Sequence, residues 1–349
     1  MKTTYTFKQI AENSTKKVKP QESDKEHYIG LEHIDPECLY ITRWGADAAP
    51  IGEKLVMKKG DVLFGKRRAY QRKVGIAPFD GIFSAHGLVL RPKEDVICKE
   101  FFPFFISSDV FLDRAVQISV GGLSPTINWS DLARQEFELP SLEEQKVLAE
   151  KLWAAYKLKE SYRQLLSSID DIIKAKFFKI KNAAKDSIAL SEICTIQKGM
   201  TLTRDKAING DVPVIAGGQE PSCYHNVANR EKDIITVSAS GAYAGFVGFW
   251  EVPIFASDCN TILPNSDEND VRFIYLGLKA MQDEVYKLQK GGAQPHVYGT
   301  DLGQFIFPKV SIDDQRQFVT IATQAEATKA SLRQSIASID RVIRSLINQ

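Results

Sequence analysis

The densest chemistry in this chain is electrostatic. Within KLVMKKGDVLFGKRRAYQRK, residues 54–73, eight cations (Lys54, Lys58, Lys59, Lys66, Arg67, Arg68, Arg72 and Lys73) face one acid, Asp61, and Tyr70 lies among them. Clustered cations neutralise phosphates and release counterions, and arginine can also bond bidentately to guanine edges. A solvated surface run is the bland alternative. A second stretch, SASGAYAGFVG at 238–248, repeats the Ala-Tyr pair without any cation and offers Ser238, Ser240 and Tyr243. Two glycine turns add hydroxyls, an amide and an imidazole: GGLSPTI at 121–127 with Ser124 and Thr126, and GGAQPHV at 291–297 with Gln294 and His296. Paired glycines let a backbone approach a surface closely, and Gln can bond bidentately to adenine. A tight turn feeding a strand accounts for the same residues.

Catalytic patterns are missing. The single Gly65-Lys66 pair is followed by Arg67, so there is no phosphate loop, and neither HExxH, GxSxG nor GxGxxG occurs. The five histidines and five cysteines are scattered without metal-ligand spacing. The expectation is a non-catalytic chain that binds no metal or cofactor itself. Cys38, Cys98, Cys194, Cys223 and Cys259 read as reduced thiols of a cytoplasmic protein. No signal-like or membrane-spanning apolar run is present; FFPFFI at 101–106 is the most conspicuous. A net charge of +1 implies that any DNA binding is local rather than global.

The elements that must position these residues come in two copies. Shifting the sequence by 170 aligns 121–173 with 291–343, and seventeen of the 53 positions are identical, among them Pro125/Pro295, Asp131/Asp301 and Gln145/Gln315. Upstream, 60–86 answers 232–258 more loosely. Each copy has a β-rich part, with short apolar segments such as DVLF and DIITVS bounded by turn residues. VRFIYLGLKAMQDEVYKLQK at 271–290 reads as a helical patch within the second.

A long helix follows in each copy, opened by Ser141-x-x-Glu144 and Ser311-x-x-Asp314, the second the weaker capping box. No Pro or Gly interrupts 142–184 or 312–349. Leu158, Tyr162, Leu165, Ile169 and Ile172 mark an apolar stripe answered by Leu332, Ile339, Val342 and Leu346; Leu166, Ile173, Ile336 and Ile343 widen it. The predicted architecture is α+β: globular domains at 1–138 and 187–308, and antiparallel coiled-coil helices at 139–186 and 309–349.

The paired segments FELPSLEEQKVLAEKL and FPKVSIDDQRQFVTIA, with the long helices after them, resemble the specificity subunits of type I restriction–modification systems. YIGLEHID at 28–35, GKRRAYQRKVG, SASGAYAGFVG and KGGAQPHV resemble loops of the same family. The second copy departs at Val310, where the first has Pro140, and carries Asp-Asp for Glu-Glu. The resemblance implies two target recognition domains, each reading half of a split sequence in double-stranded DNA. Lys66, Arg67, Arg68, Tyr70, Arg72, Lys73, Ser124 and Thr126 would serve the first, and Ser238, Ser240, Tyr243, Gln294 and His296 the second. The helices would set the unread spacer and dock two modification subunits carrying S-adenosylmethionine. A motor-nuclease restriction subunit would use ATP and Mg. A two-domain coiled-coil scaffold that binds protein, or the same module in another restriction or orphan methylation system, remains open.

Overall fold

The computed structural model describes residues 2–348. Two compact units emerge: residues up to Tyr162 together with those from Gln334 onward, and Arg163–Arg333. These borders differ from the sequence boundaries at 138, 186 and 308, because each long helix is shared. The first long helix, Leu142–Ala183, gives its beginning to the first unit and its end to the second. The second long helix, Ile312–Ile347, does the reverse.

Both units are built on the same sheet. In the first, the order is Ala11–Ser14, Gly87–Pro92, Val62–Gly65, Val74–Ile76; in the second, Cys194–Lys198, Cys259–Pro264, Ile234–Ser238, Val247–Trp250, antiparallel throughout. The apolar runs DVLF and DIITVS follow from burial on both faces, since alternate side chains point to opposite sides of a strand. Val62 and Phe64 enter the main core, while Leu63 enters a smaller one with Phe83 and Val89. Ile235 and Val237 likewise face the main core of the second unit, and Ile234 a smaller cluster. FFPFFI forms the buried helix Phe102–Ile106, and the predicted 271–290 patch forms helices Val271–Ala280 and Gln282–Tyr286.

The long helices begin where the capping boxes predict. Ser141 N donates to Glu144 Oε2 at 2.9 Å, and Glu144 N donates to Ser141 Oγ at 3.3 Å. At Ser311 the shorter Asp314 takes its bond from the hydroxyl, at 2.6 Å. One residue further on lies a buried glutamine in each copy. Gln145 accepts from Cys98 N at 2.8 Å and donates to Val96 O and Pro140 O; Gln315 accepts from Asp270 N at 2.8 Å and donates to Glu268 O and Val310 O. The same amide thus ties each helix start to its domain. Pro140 and Val310 are interchangeable there because only their carbonyls are used.

Within each unit the two helices run antiparallel. In the first, buried Lys159 meets Asp340 at 2.6 Å, and Ile339, Ile343 and Leu346 join the core that holds Leu152 and Tyr156. In the second, buried Lys329 meets Asp170 at 2.5 Å, and Phe177 packs against Phe318 with ring centroids 6.0 Å apart. The packed stripe lies one residue beyond the expected one. Lys159 and Phe177 are buried and Leu166 and Ile173 half-buried, whereas Leu158, Leu165, Ile172 and Val342 are exposed. Tyr162, Ile169 and Leu332 are half-buried. An apolar face this broad permits either rotation, and tertiary packing selects one.

Asp340→Asn leaves the Lys159 ammonium buried without its counter-charge. Because Asp340 is itself partly exposed, we expect a loss of roughly 1–3 kcal/mol, below the range for a fully buried pair, read from the urea midpoint. Replacing the pair together by Met and Leu should recover most of it.

Candidate nucleic-acid interface

The strand Val62–Gly65 runs out directly into Lys66, Arg67 and Arg68, and the first glycine turn closes over them. Ile127 N donates to Lys66 O at 3.0 Å, Arg68 N to Pro125 O at 2.7 Å, and Val120 and Thr126 exchange backbone hydrogen bonds. The second unit repeats this wiring after strand Ile234–Ser238. Val297 N donates to Ala239 O at 2.9 Å, Gly241 N to Pro295 O at 3.0 Å, and Lys290 and His296 exchange bonds. In both units, therefore, two separate candidate stretches make one site.

The shared backbone makes positions comparable. Gly65 pairs with Gly87 and Ser238 with Cys259, so His86 and Asp258 occupy matching places just before those partners. Arg67 then corresponds to Ser240, Arg68 to Gly241, Ser124 to Gln294, and Thr126 to His296. The side chains differ completely. In the first unit Arg67 Nη2 and Arg68 Nε both donate to Ser124 Oγ, at 3.3 and 3.2 Å, while Arg67 Nη1 lies 3.4 Å from His86 Nε2. Burial, then the charges of Arg67, Lys66 and Lys54, lower the His86 pKa, so its ring is neutral and can accept from Arg67 at pH 7. Burial, then nearby Lys17, also lowers that of Lys66. In the second unit Ser240 Oγ donates to Asp258 Oδ2. His296 stacks on Tyr298 at 6.1 Å and 19°, and Tyr243 and Gln294 are exposed.

Elsewhere the basic run disperses. Arg72 pairs with Asp109 and Asp113, Lys73 donates to Leu31 O at 2.7 Å, and Lys58 pairs with Asp80. Lys54 is buried against the Ile51 and Gly52 carbonyls. Tyr70 stays exposed near the turn, and the Arg72 and Lys73 head groups are held by acceptors of their own unit. Ser238 needs a correction: it is 3% exposed and donates to Gly218 O at 3.2 Å, because it closes a strand rather than opening the loop. His86, Asp258 and Tyr298 escaped notice in the sequence. Aligning 60–86 with 232–258 does end on His86 opposite Asp258, but nothing there shows which side chains turn outward.

The model of the type I restriction modification DNA specificity domain matches residues 2–170 and 184–341. Among curated proteins, a putative type I specificity subunit of Mycoplasma genitalium is 25% identical over 157 residues, covering 44% of this chain and 41% of that relative's length. Among solved structures, the S subunit of a type I restriction–modification system from M. genitalium superposes with a TM-score of 0.61 at 18% identity, covering 99% of this chain and 95% of its own. A structure described as revealing complex assembly and conformational transition of the type I system gives 0.61 at 16% identity, covering 99% and 96%. At these identities the structural likeness speaks for the fold.

Arg68 stands in a left-handed backbone, φ 56°, where its counterpart is Gly241, φ 84°. A residue with a Cβ is disfavoured there by about 1 kcal/mol, a cost that recurs at functional sites. Arg68→Gly should raise stability by up to about 0.5 kcal/mol, the relieved strain less the greater unfolded-state freedom of glycine. The urea midpoint checks this; a midpoint that falls would mean that the Arg68 side chain supports the fold.

Proposed function

This chain belongs to the type I restriction modification DNA specificity family, and from that premise we propose that it is the sequence-reading subunit of such a system. Each unit reads one half of a split duplex target through its paired turns. The observation that carries the reading is one backbone site built twice with unlike side chains, which suits two readers of different sequences. Lys66, Arg67 and Arg68 supply cation contacts in the first unit, and Ser240, Tyr243, Gln294 and His296 polar and aromatic ones in the second. The long helices set the unread spacer. Leu158, Leu165 and Ile172, exposed at intervals of seven on the first of them, support docking of modification subunits. S-adenosylmethionine then belongs to those partners, and ATP and Mg to a motor-nuclease partner, leaving this chain without a catalytic step.

Co-expression with the modification subunit encoded beside it, in a methylation-free host, tests the reading. Modified adenines mapped across the genome should define a bipartite motif with a fixed gap. With stable assembly and an active methyltransferase, absence of a motif would instead favour the protein-binding scaffold. Arg67→Ala should weaken duplex binding about tenfold, within the range for one specific arginine contact, while co-purification with the modification subunit is unchanged. Binding should also fall steeply with added salt. Unaltered affinity in both Arg67→Ala and Arg68→Ala would remove this turn from the interface.

A further inference from the structure

The matched sites invert their chemistry at corresponding positions. Where the first unit presents the Arg67 guanidinium beside neutral His86, the second presents the Ser240 hydroxyl beside the Asp258 carboxylate. A carboxylate is a poor neighbour for phosphates, yet Asp258 stands half-buried immediately before the strand Cys259–Pro264, whose pairing with Ile234–Ser238 frames the paired turns. It accepts one hydrogen bond from Ser240, and a carboxylate has about four acceptor sites in all. The Gly217 backbone packs close to this pair: a Cβ there would stand 2.5 Å from Ser240 O and 3.4 Å from Asp258 Oδ2, so the Ser240–Asp258 arrangement depends on glycine at 217. The major groove offers donors to such a group only at exocyclic amines, cytosine N4 and adenine N6, whereas guanine offers the acceptors N7 and O6.

We propose that Asp258, oriented by Ser240, is a specificity-determining residue of the second unit and takes an exocyclic amino group of one base, while Arg67 at the matching place takes guanine acceptors. The inference rests on the reading above as a DNA specificity subunit. It assigns the two half-sites opposite hydrogen-bond polarity at corresponding steps.

The test uses the full chain assembled with its modification subunit and duplexes carrying the mapped target. Each adenine in turn is replaced by 2-aminopurine, which lacks the N6 amine, and each cytosine by its analogue without the N4 amine. One position in one half-site should cost the wild type about tenfold in affinity, the scale of a single base contact, and the analogue responsible distinguishes adenine from cytosine. In Asp258→Ala, which removes every side-chain acceptor, that penalty should vanish, while Arg67→Ala should keep it. Ser240→Ala, which releases the carboxylate without removing it, should shrink it and serves if Asp258→Ala does not fold.

A purely structural Asp258 would lower affinity on every duplex alike and leave the penalty intact. That result overturns the proposal, as does a wild type for which no amine deletion costs more than about twofold, less than the weakest specific contact. A wild type without any sequence preference would instead overturn the specificity-subunit reading, and this inference with it.

Discussion

Two buried lysines hold this structure in register. Lys159 and Lys329 are the same residue of the 170-residue repeat, and so are their partners Asp340 and Asp170. Each ammonium sits in a helix–helix seam and reaches a carboxylate on the other long helix. Burial works against the charge on Lys329, yet its hydrogen bonds to Asp170 and Glu326 hold its pKa above the ordinary lysine value. Sliding one helix past the other would strand a buried charge, which is far costlier than a misfit between aliphatic side chains. The apolar stripe supplies adhesion, and the ion pairs supply alignment.

That alignment decides what each unit is made of. The first unit's core includes Ile343 alongside Phe7, so residues near both ends of the chain close the same hydrophobic cluster. Arg344 pairs with Glu37, and Asn348 bonds to Asp109, which also holds Arg72. The stretch that links the basic turn to the domain is therefore completed by the last turn of the second long helix. Loop-closure entropy over such a separation must be met before these contacts form, so the first unit gains its full core only once the whole chain is available.

The sequence carried the architecture well and the site only in outline. A gapless repeat, two capping boxes and uninterrupted apolar periodicity are one-dimensional signals with direct structural causes, and they located the helices and the duplication. The rotation of the seam was not legible, because Leu158 and Lys159 are neighbours and helical spacing alone favoured the apolar one. Only the structure shows that Lys159 enters the seam with a partner from a residue 181 positions later. The site was less legible. Charge counting treats 54–73 as one patch, whereas Lys58 and Arg72 are ion-paired with Asp80, Asp109 and Asp113, and Lys54 and Lys73 bond to backbone carbonyls.

What survived duplication separates backbone requirements from side-chain choices. Gly121 and Gly291, both with positive φ, persist because a residue with a Cβ is strained there. Pro125 and Pro295 persist at the carbonyls that receive Arg68 N and Gly241 N. Gln145 and Gln315 persist because each satisfies one backbone amide and two carbonyls that burial would otherwise leave unpaired. The positions that differ most, Arg67 against Ser240, His86 against Asp258 and Ser124 against Gln294, project from that fixed frame. A turn retained only as a connector would have no reason to keep the bonds from Ile127 and Val297 and to Pro125 and Pro295 while holding Arg68 in a conformation that glycine adopts more easily. Constant geometry beneath inverted chemistry is what the proposed pair of readers would require, since such a frame would present side chains at one distance and leave the choice of target to them.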